Sequence, residues 1–265
     1  MKEILVLDGA MGTLISEKFK IDEKCREKVN ELYPEIIAQI HRDYIEAGAD
    51  FIKANTFNCS KEALIKYGED PEKSYSYALK GAKLAKESAL KYNKKSVGTF
   101  CLGDESQIDG ILDGDTDFIL IETIFDYNEG KKSLRLLKER LAEKKRKKPI
   151  MISFAVNKIG QLYSGENVLD ILNEFIVEDV FSIGINCSEI SDEIIMLFEK
   201  MRKATTLKIS CHPNSDGNIK KYLLELSKCL NEGVLDIVGG CCGTDEKHIK
   251  ALKVMIERDG VPDEI

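Results

Sequence analysis

Eight short apolar runs, each followed by a longer amphipathic stretch, constrain this chain more than any other feature. The runs fall at residues 4–8, 50–57, 96–101, 117–122, 149–156, 181–187, 207–212 and 236–242 and are rich in Val, Ile and Phe. Between them, 34–47, 71–92, 127–144, 168–177, 192–202, 219–231 and 245–256 carry apolar residues at helical spacing. Near-continuous apolar strands that alternate with helices belong to a parallel sheet whose outer face is covered. Eight such units in 265 residues are the size of a (βα)8 TIM barrel. An open doubly wound sheet would show the same alternation, but no Gly-x-Gly-x-x-Gly turn follows the first run. One unit is short. Only 102–116 separates the third and fourth runs, with room for one brief helix near 106–112, close to the minimum for a parallel crossover. No Pro/Gly/Ser-rich linker or internal repeat interrupts the chain, so residues 1–265 are expected to form a single domain.

Composition narrows the partners. With 39 Lys+Arg against 46 Asp+Glu, the formal charge is −7, a poor match to phosphate backbones, and nucleic acid is not expected. The densest basic run, 131–148 with ten Lys/Arg, reads as a solvated helix whose cations sit near the negative end of its dipole. No apolar stretch has the length of a bilayer span or the form of a signal peptide, so no membrane partner is expected either. Eight cysteines without a secretory signal point to a reducing cytoplasm, where clustered cysteines more often serve metal binding or catalysis than disulfides.

Three cysteines are distinguished by position. Cys187 ends the sixth run in Gly184-Ile-Asn-Cys, and Cys241 and Cys242 end the eighth in Val238-Gly-Gly-Cys-Cys-Gly-Thr. In a parallel barrel these strand ends lie on the rim where chemistry collects. Adjacent cysteines on a regular strand face opposite ways, so a shared ligand needs a broken strand. Gly239, Gly240 and Gly243 are expected to supply that freedom, and Thr244 to cap the following helix. Buried cysteines can also be plain core residues, the reading given to Cys25 and Cys229, while Cys59, Cys101 and Cys211 fall near other strand ends. Three thiolates suit zinc, with a fourth tetrahedral position open. A zinc so rich in negative charge is a poor activator of water but a good partner for another thiol, which it would deprotonate. Alkyl transfer to a thiol is therefore expected ahead of a zinc hydrolase, which ordinarily uses His and carboxylate ligands. Asp8 and Glu122 close the first and fourth runs, and either could receive an ammonium group or serve as a cap or an ion pair. The Asp8-Gly-Ala-Met-Gly turn offers backbone amides to a carboxylate. His212 is expected to be structural, because a zinc-bound thiol needs no general base.

These residues, with Leu7-Asp-Gly-Ala-Met-Gly-Thr, His41-Arg-Asp-Tyr-Ile-Glu-Ala-Gly-Ala-Asp, Asn55-Thr-Phe, Glu122-Thr, Pro213-Asn-Ser and Gly239-Gly-Cys-Cys-Gly-Thr, resemble the homocysteine S-methyltransferase family. That family includes betaine–homocysteine methyltransferase, S-methylmethionine-dependent enzymes and the homocysteine-binding N-terminal module of cobalamin-dependent methionine synthase. The motifs run in family order from residue 5 to about residue 250. The resemblance implies a (βα)8 barrel, zinc on Cys187, Cys241 and Cys242, and methyl transfer to homocysteine to give methionine. It also implies that Asp8, Gly9, Ala10, Met11, Asn55, Glu122, Thr123 and Asn186 surround the substrate. The segment after the third run and the one after Pro213 are shorter than is usual in the family, on the side where a methyl donor approaches. The donor is expected to be either a methylated corrinoid on a separate protein or a small sulfonium such as S-methylmethionine. A separate folate-binding protein is a further candidate partner. The alternative expectation is a non-catalytic homocysteine-binding or corrinoid-docking subunit.

Overall fold

The computed structural model describes residues 3–258, 260 and 261; the single-domain expectation for 1–265 also takes in 1, 2, 259 and 262–265, which lie outside them. Eight strands alternate with helices: β1 Leu5–Val6, β2 Phe51–Lys53, β3 Lys95–Phe100, β4 Phe118–Ile124, β5 Ile150–Phe154, β6 Ser182–Asn186, β7 Lys208–His212 and β8 Ile237–Val238. All are parallel and pair in the order β1-β8-β7-β6-β5-β4-β3-β2. A parallel bridge between Leu7 and Phe51 joins the two ends. Asp8 N–H donates to Phe51 O (3.1 Å) and Asp50 N–H to Val6 O (2.7 Å), which closes the ring. The chain is a (βα)8 barrel.

The longer helices are α1 Pro34–Glu46, α2 Lys61–Tyr67, α3 Ser74–Lys91, α4 Glu105–Asp113, α5 Tyr127–Glu143, α6 Val168–Ile176, α7 Asp192–Ala204, α8 Ile219–Asn231 and α9 Glu246–Arg258. Most begin where a side-chain acceptor meets the unpaired amides of a first turn. Ser60, Asp104, Asp126, Asn167, Ser191 and Asn218 each accept from an amide two or three residues on. The third unit is short, as its residue count required: α4 has nine residues against eighteen in α3 and seventeen in α5. The sequence pattern predicts no helix at α2, because seven residues are too few for a clear period.

Period-two alternation then builds the site on the barrel floor. Leu7, Phe51, Val97, Leu120, Met151 and Ile237 form one buried apolar cluster. Phe51, Phe118 and Phe181 meet edge-on across it, with centroids 5.1 and 5.0 Å apart. Two residues further along a strand, a side chain returns to the same face. Above Phe51 stands Lys53, above Val97 Thr99, above Leu120 Glu122, and two steps beyond Ile237 is Gly239. The floor is apolar and the layer above it is polar. Several strands leave the ladder before the apolar run ends, notably β2 and β8, so the last residues of those runs form the rim.

The basic run on α5 is an ion-paired helix face. Arg140 binds Asp109 through two nitrogens (2.9 and 2.6 Å), Lys144 reaches Asp113 (2.9 Å), and Lys138 reaches Glu178 (2.6 Å). Among the described residues, no helix is long and apolar enough to cross a membrane.

Candidate metal and substrate site

Cys187, Cys241 and Cys242 converge at the rim with their sulfurs within 4.8 Å of one another. Cys187 and Cys241 are joined as a disulfide in this structure, while Cys242 is free and exposed. Three sulfurs each about 2.3 Å from a tetrahedral zinc lie roughly 3.8 Å apart, so this cluster fits such an ion once its thiols are reduced. Cys25, Cys59, Cys101, Cys211 and Cys229 are free, buried and outside the cluster. Burial pushes their thiols up, Cys101 and Cys229 to about 12, which suits core residues.

The backbone reaches this arrangement in left-handed steps. Cys187 has φ 50° and Thr123 φ 61°, and a β-branched residue such as Thr123 adopts that value only when its surroundings hold it there. Asn186 provides that hold for Thr123. Thr123 N–H donates to Asn186 Oδ1 (2.9 Å), and Asn186 Nδ2 donates to Thr123 Oγ1 (2.9 Å) and to Cys241 Sγ (3.8 Å). Thr123 Oγ1 in turn donates to Cys187 Sγ (3.9 Å). Asn186 is fully buried and does not line the cavity, so its contacts tie β4 to both cysteine-bearing strands.

The glycine bracket works differently from the sequence expectation. Only Gly243 has positive φ (76°), and a Cβ there would lie 2.0 Å from Ser215 O. Gly239 and Gly240 are needed for close approach instead: a Cβ would meet Leu7 O at 2.7 Å and Thr244 Oγ1 at 2.3 Å. Nor does Thr244 cap α9. Its hydroxyl donates to Cys241 O (2.7 Å) and accepts from Ala10 N–H (3.2 Å), fastening the cysteine loop to the first turn. The cap is Asp245, whose Oδ1 accepts from Lys247 and His248 N–H (3.0 and 3.1 Å).

Below the cysteines opens a cavity of about 290 Å³, near the lower end of small-molecule sites. Gly9, Ala10, Met11, Asn55, Glu122 and Thr123 line it together with the three cysteines. Asn55 is pinned by Nδ2 donating to Arg26 O (2.8 Å) and Asn30 Oδ1 (2.9 Å). The turn amides are partly spent: Asp8 N–H goes to Phe51 and Ala10 N–H to Thr244. Asp8 lies under the cavity, and its Oδ2 accepts from Lys53 N–H (2.8 Å). Burial pushes its carboxyl up to about 7, with the Lys53 ammonium pulling the other way. Lys53 and Glu27 also line the cavity. Lys53 sits inside an apolar run and Glu27 in a segment without periodicity, so neither carried a signal in the sequence. His212 is fully buried, with neither ring nitrogen hydrogen-bonded among the described residues. Burial, then the nearby Lys53 charge, holds it neutral with a pKa of about 3. His41 and His248 are buried as well.

A closed (βα)8 barrel with three rim cysteines over a charged pocket defines a class of cysteine-rich rim sites. Within it, the chain belongs to the homocysteine S-methyltransferase family, whose profile matches residues 5–104 and 105–256. The chain is 26% identical over 298 residues to a methionine synthase of Mycobacterium leprae (strain TN), matching 97% of this chain and spanning about a quarter (24%) of that relative's length. Among solved structures, it resembles the homocysteine methyltransferase MmuM from Escherichia coli. The metallated form aligns with TM-score 0.79 at 22% identity over 96% of both chains, and the oxidized form with 0.80 at 22% over 95% of both. The carboxyl transferase domain of Rhizobium etli pyruvate carboxylase shares the barrel more loosely, with TM-score 0.56 at 13% identity, covering all of this chain and half of that one.

Proposed function

We propose that this protein transfers a methyl group to the thiol of homocysteine, forming methionine, with zinc held by reduced Cys187, Cys241 and Cys242. The observation that carries the reading is the convergence of these three sulfurs at the mouth of a cavity walled by Glu122 and Lys53. Zinc in such a site lowers the pKa of the incoming thiol and keeps its sulfur nucleophilic at neutral pH. The chain's own residues supply alignment. Asn186 and Thr123 position the cysteine-bearing strands, and Glu122 faces the cavity to receive the substrate's ammonium group. Asp8 is a counter-charge below the cavity. Holding the amino-acid end fixed brings the thiol to the rim, where an in-line methyl donor can reach it.

The donor is a methylated corrinoid carried on a separate protein or a small sulfonium such as S-methylmethionine. The mycobacterial relative, named methionine synthase and about four times as long, favours the first. Zinc-edge X-ray absorption of reduced, zinc-supplemented protein tests the site. Three sulfurs and one light ligand, becoming four sulfurs on adding homocysteine, are expected. A shell that ignores homocysteine, or no bound zinc, would overturn the reading in favour of a docking subunit without this chemistry. Methionine formation, followed with each donor class in turn, identifies the methyl source.

A further inference from the structure

We propose that Lys53 selects the substrate's α-carboxylate, with Asp8 as its buried counter-ion, so that the site reads both charges of an α-amino-acid thiol. The inference rests on the homocysteine reading above and adds the group that recognises the second charge.

Lys53 is a buried cation at the cavity wall, 8% exposed, two residues beyond the floor residue Phe51. An ammonium carries three donors. Among the described residues, its Nζ makes one hydrogen bond, to Gly240 O at 3.3 Å. The two carboxylates beside it are farther away than a charge-assisted hydrogen bond reaches: Asp8 Oδ1 at 3.8 Å and Glu122 Oε2 at 4.0 Å. The ammonium is held by charge and left uncapped towards the cavity. Asp8 belongs to Lys53, because its Oδ2 takes the Lys53 backbone amide and its buried Oδ1 has no hydrogen-bond partner. Glu122 belongs to the cavity, which it lines and Asp8 does not.

With Asp8 ionised, the order of charges is negative, positive, negative from Asp8 through Lys53 to Glu122. A zwitterion completes it by placing its carboxylate on Lys53 and its ammonium on Glu122. Of the turn amides that line the cavity, that of Ala10 is already taken by Thr244 Oγ1. A thiol with an ammonium but no carboxylate leaves the buried Lys53 facing an empty pocket. One with a carboxylate but no ammonium sets two negative charges together at Glu122. Both halves bind less well than the whole.

The test is calorimetric binding to zinc-loaded protein, comparing homocysteine with 3-aminopropane-1-thiol, which lacks the carboxylate. Wild type is expected to prefer homocysteine. In Lys53→Met that preference collapses: homocysteine weakens roughly 10- to 100-fold, the loss typical of a charged hydrogen bond, while the aminothiol stays within about threefold. Lys53→Arg keeps the preference, and Lys53→Gln gives a second neutral variant of similar length should the Met protein fail to fold. Unchanged homocysteine binding in the neutral variants, or equal loss of both ligands, overturns the role of Lys53. A wild type that binds both thiols equally overturns it too, yet leaves the homocysteine reading standing. A zinc-loaded wild type that binds neither thiol overturns that reading itself, and this inference with it.

Discussion

Asp8 shows how far a residue's neighbours can change what its chemistry means. In the sequence it is a carboxylate after an apolar run, as ready to hold substrate as Glu122. In the barrel it lies beneath Lys53, and burial lifts its carboxyl to about 7 from the ordinary 3.8. The folded protein then keeps a proton that the unfolded chain has released. The associated stability is present at acid pH and is lost as the pH rises from about 4 through about 7. Asp8→Asn retains an acceptor for the Lys53 amide and removes the titration. Chemical denaturation of metal-free protein at several pH values is expected to show a shallower fall across that window in the variant than in wild type. Parallel curves would show that Asp8 ionises normally.

At the scale of elements, the short third unit stands because α4 lies unusually close to α3. A Cβ at Gly110 would come within 2.6 Å of Tyr75 O and 2.8 Å of Ala78 Cβ, and one at Gly114 within 2.3 Å of Ala82 Cβ. Helix propensity alone makes Gly→Ala favourable by about 1 kcal/mol. Contact with backbone that cannot move aside reverses the sign, by roughly 1–3 kcal/mol of overpacking. Gly110→Ala is therefore expected to lower the thermal midpoint, and a raised midpoint would show that α4 can slide outward. The far side of α4 is held by Asp109 and Asp113 to Arg140 of α5 and to Lys144 just past its end. The cations of the basic run, which read in the sequence as a solvated helix face, thus brace this short helix.

For the whole molecule, the cysteine cluster is a tie across the barrel, since Cys187 and Cys241 are 54 residues apart in the chain. A metal that binds only the folded arrangement adds its binding energy to stability, about 4 kcal/mol at a thousandfold excess over its dissociation constant. For a chain of this size that is roughly 10 °C in the thermal midpoint. Zinc is expected to raise the midpoint of reduced wild-type protein by about that much and to have little effect on Cys242→Ala. Equal shifts in both would place the stabilising metal elsewhere. Cys242 suits the comparison because it is exposed and outside the disulfide, so its loss leaves the core intact.

The fold was legible because eight apolar runs with helical intervals have few ways to bury themselves, and the shortened crossover followed from counting residues. The three cysteines were legible too, since only strand ends meet at a barrel rim. What distance along the chain cannot carry is which side chains share a pocket. Lys53 hid in an apolar run because an inward-facing strand residue above an apolar floor can be polar when its partners come from other strands. Asp8 and Glu122 looked alike until closure set one below the cavity and the other in its wall. Gly239 and Gly240 needed only space and Gly243 a left-handed turn, a distinction made by Leu7, Thr244 and Ser215. Local sequence determined the elements and their order, because hydrophobic periodicity acts between near neighbours. Charge order and strain around the site were decided by tertiary structure, because both arise between residues that only ring closure brings together.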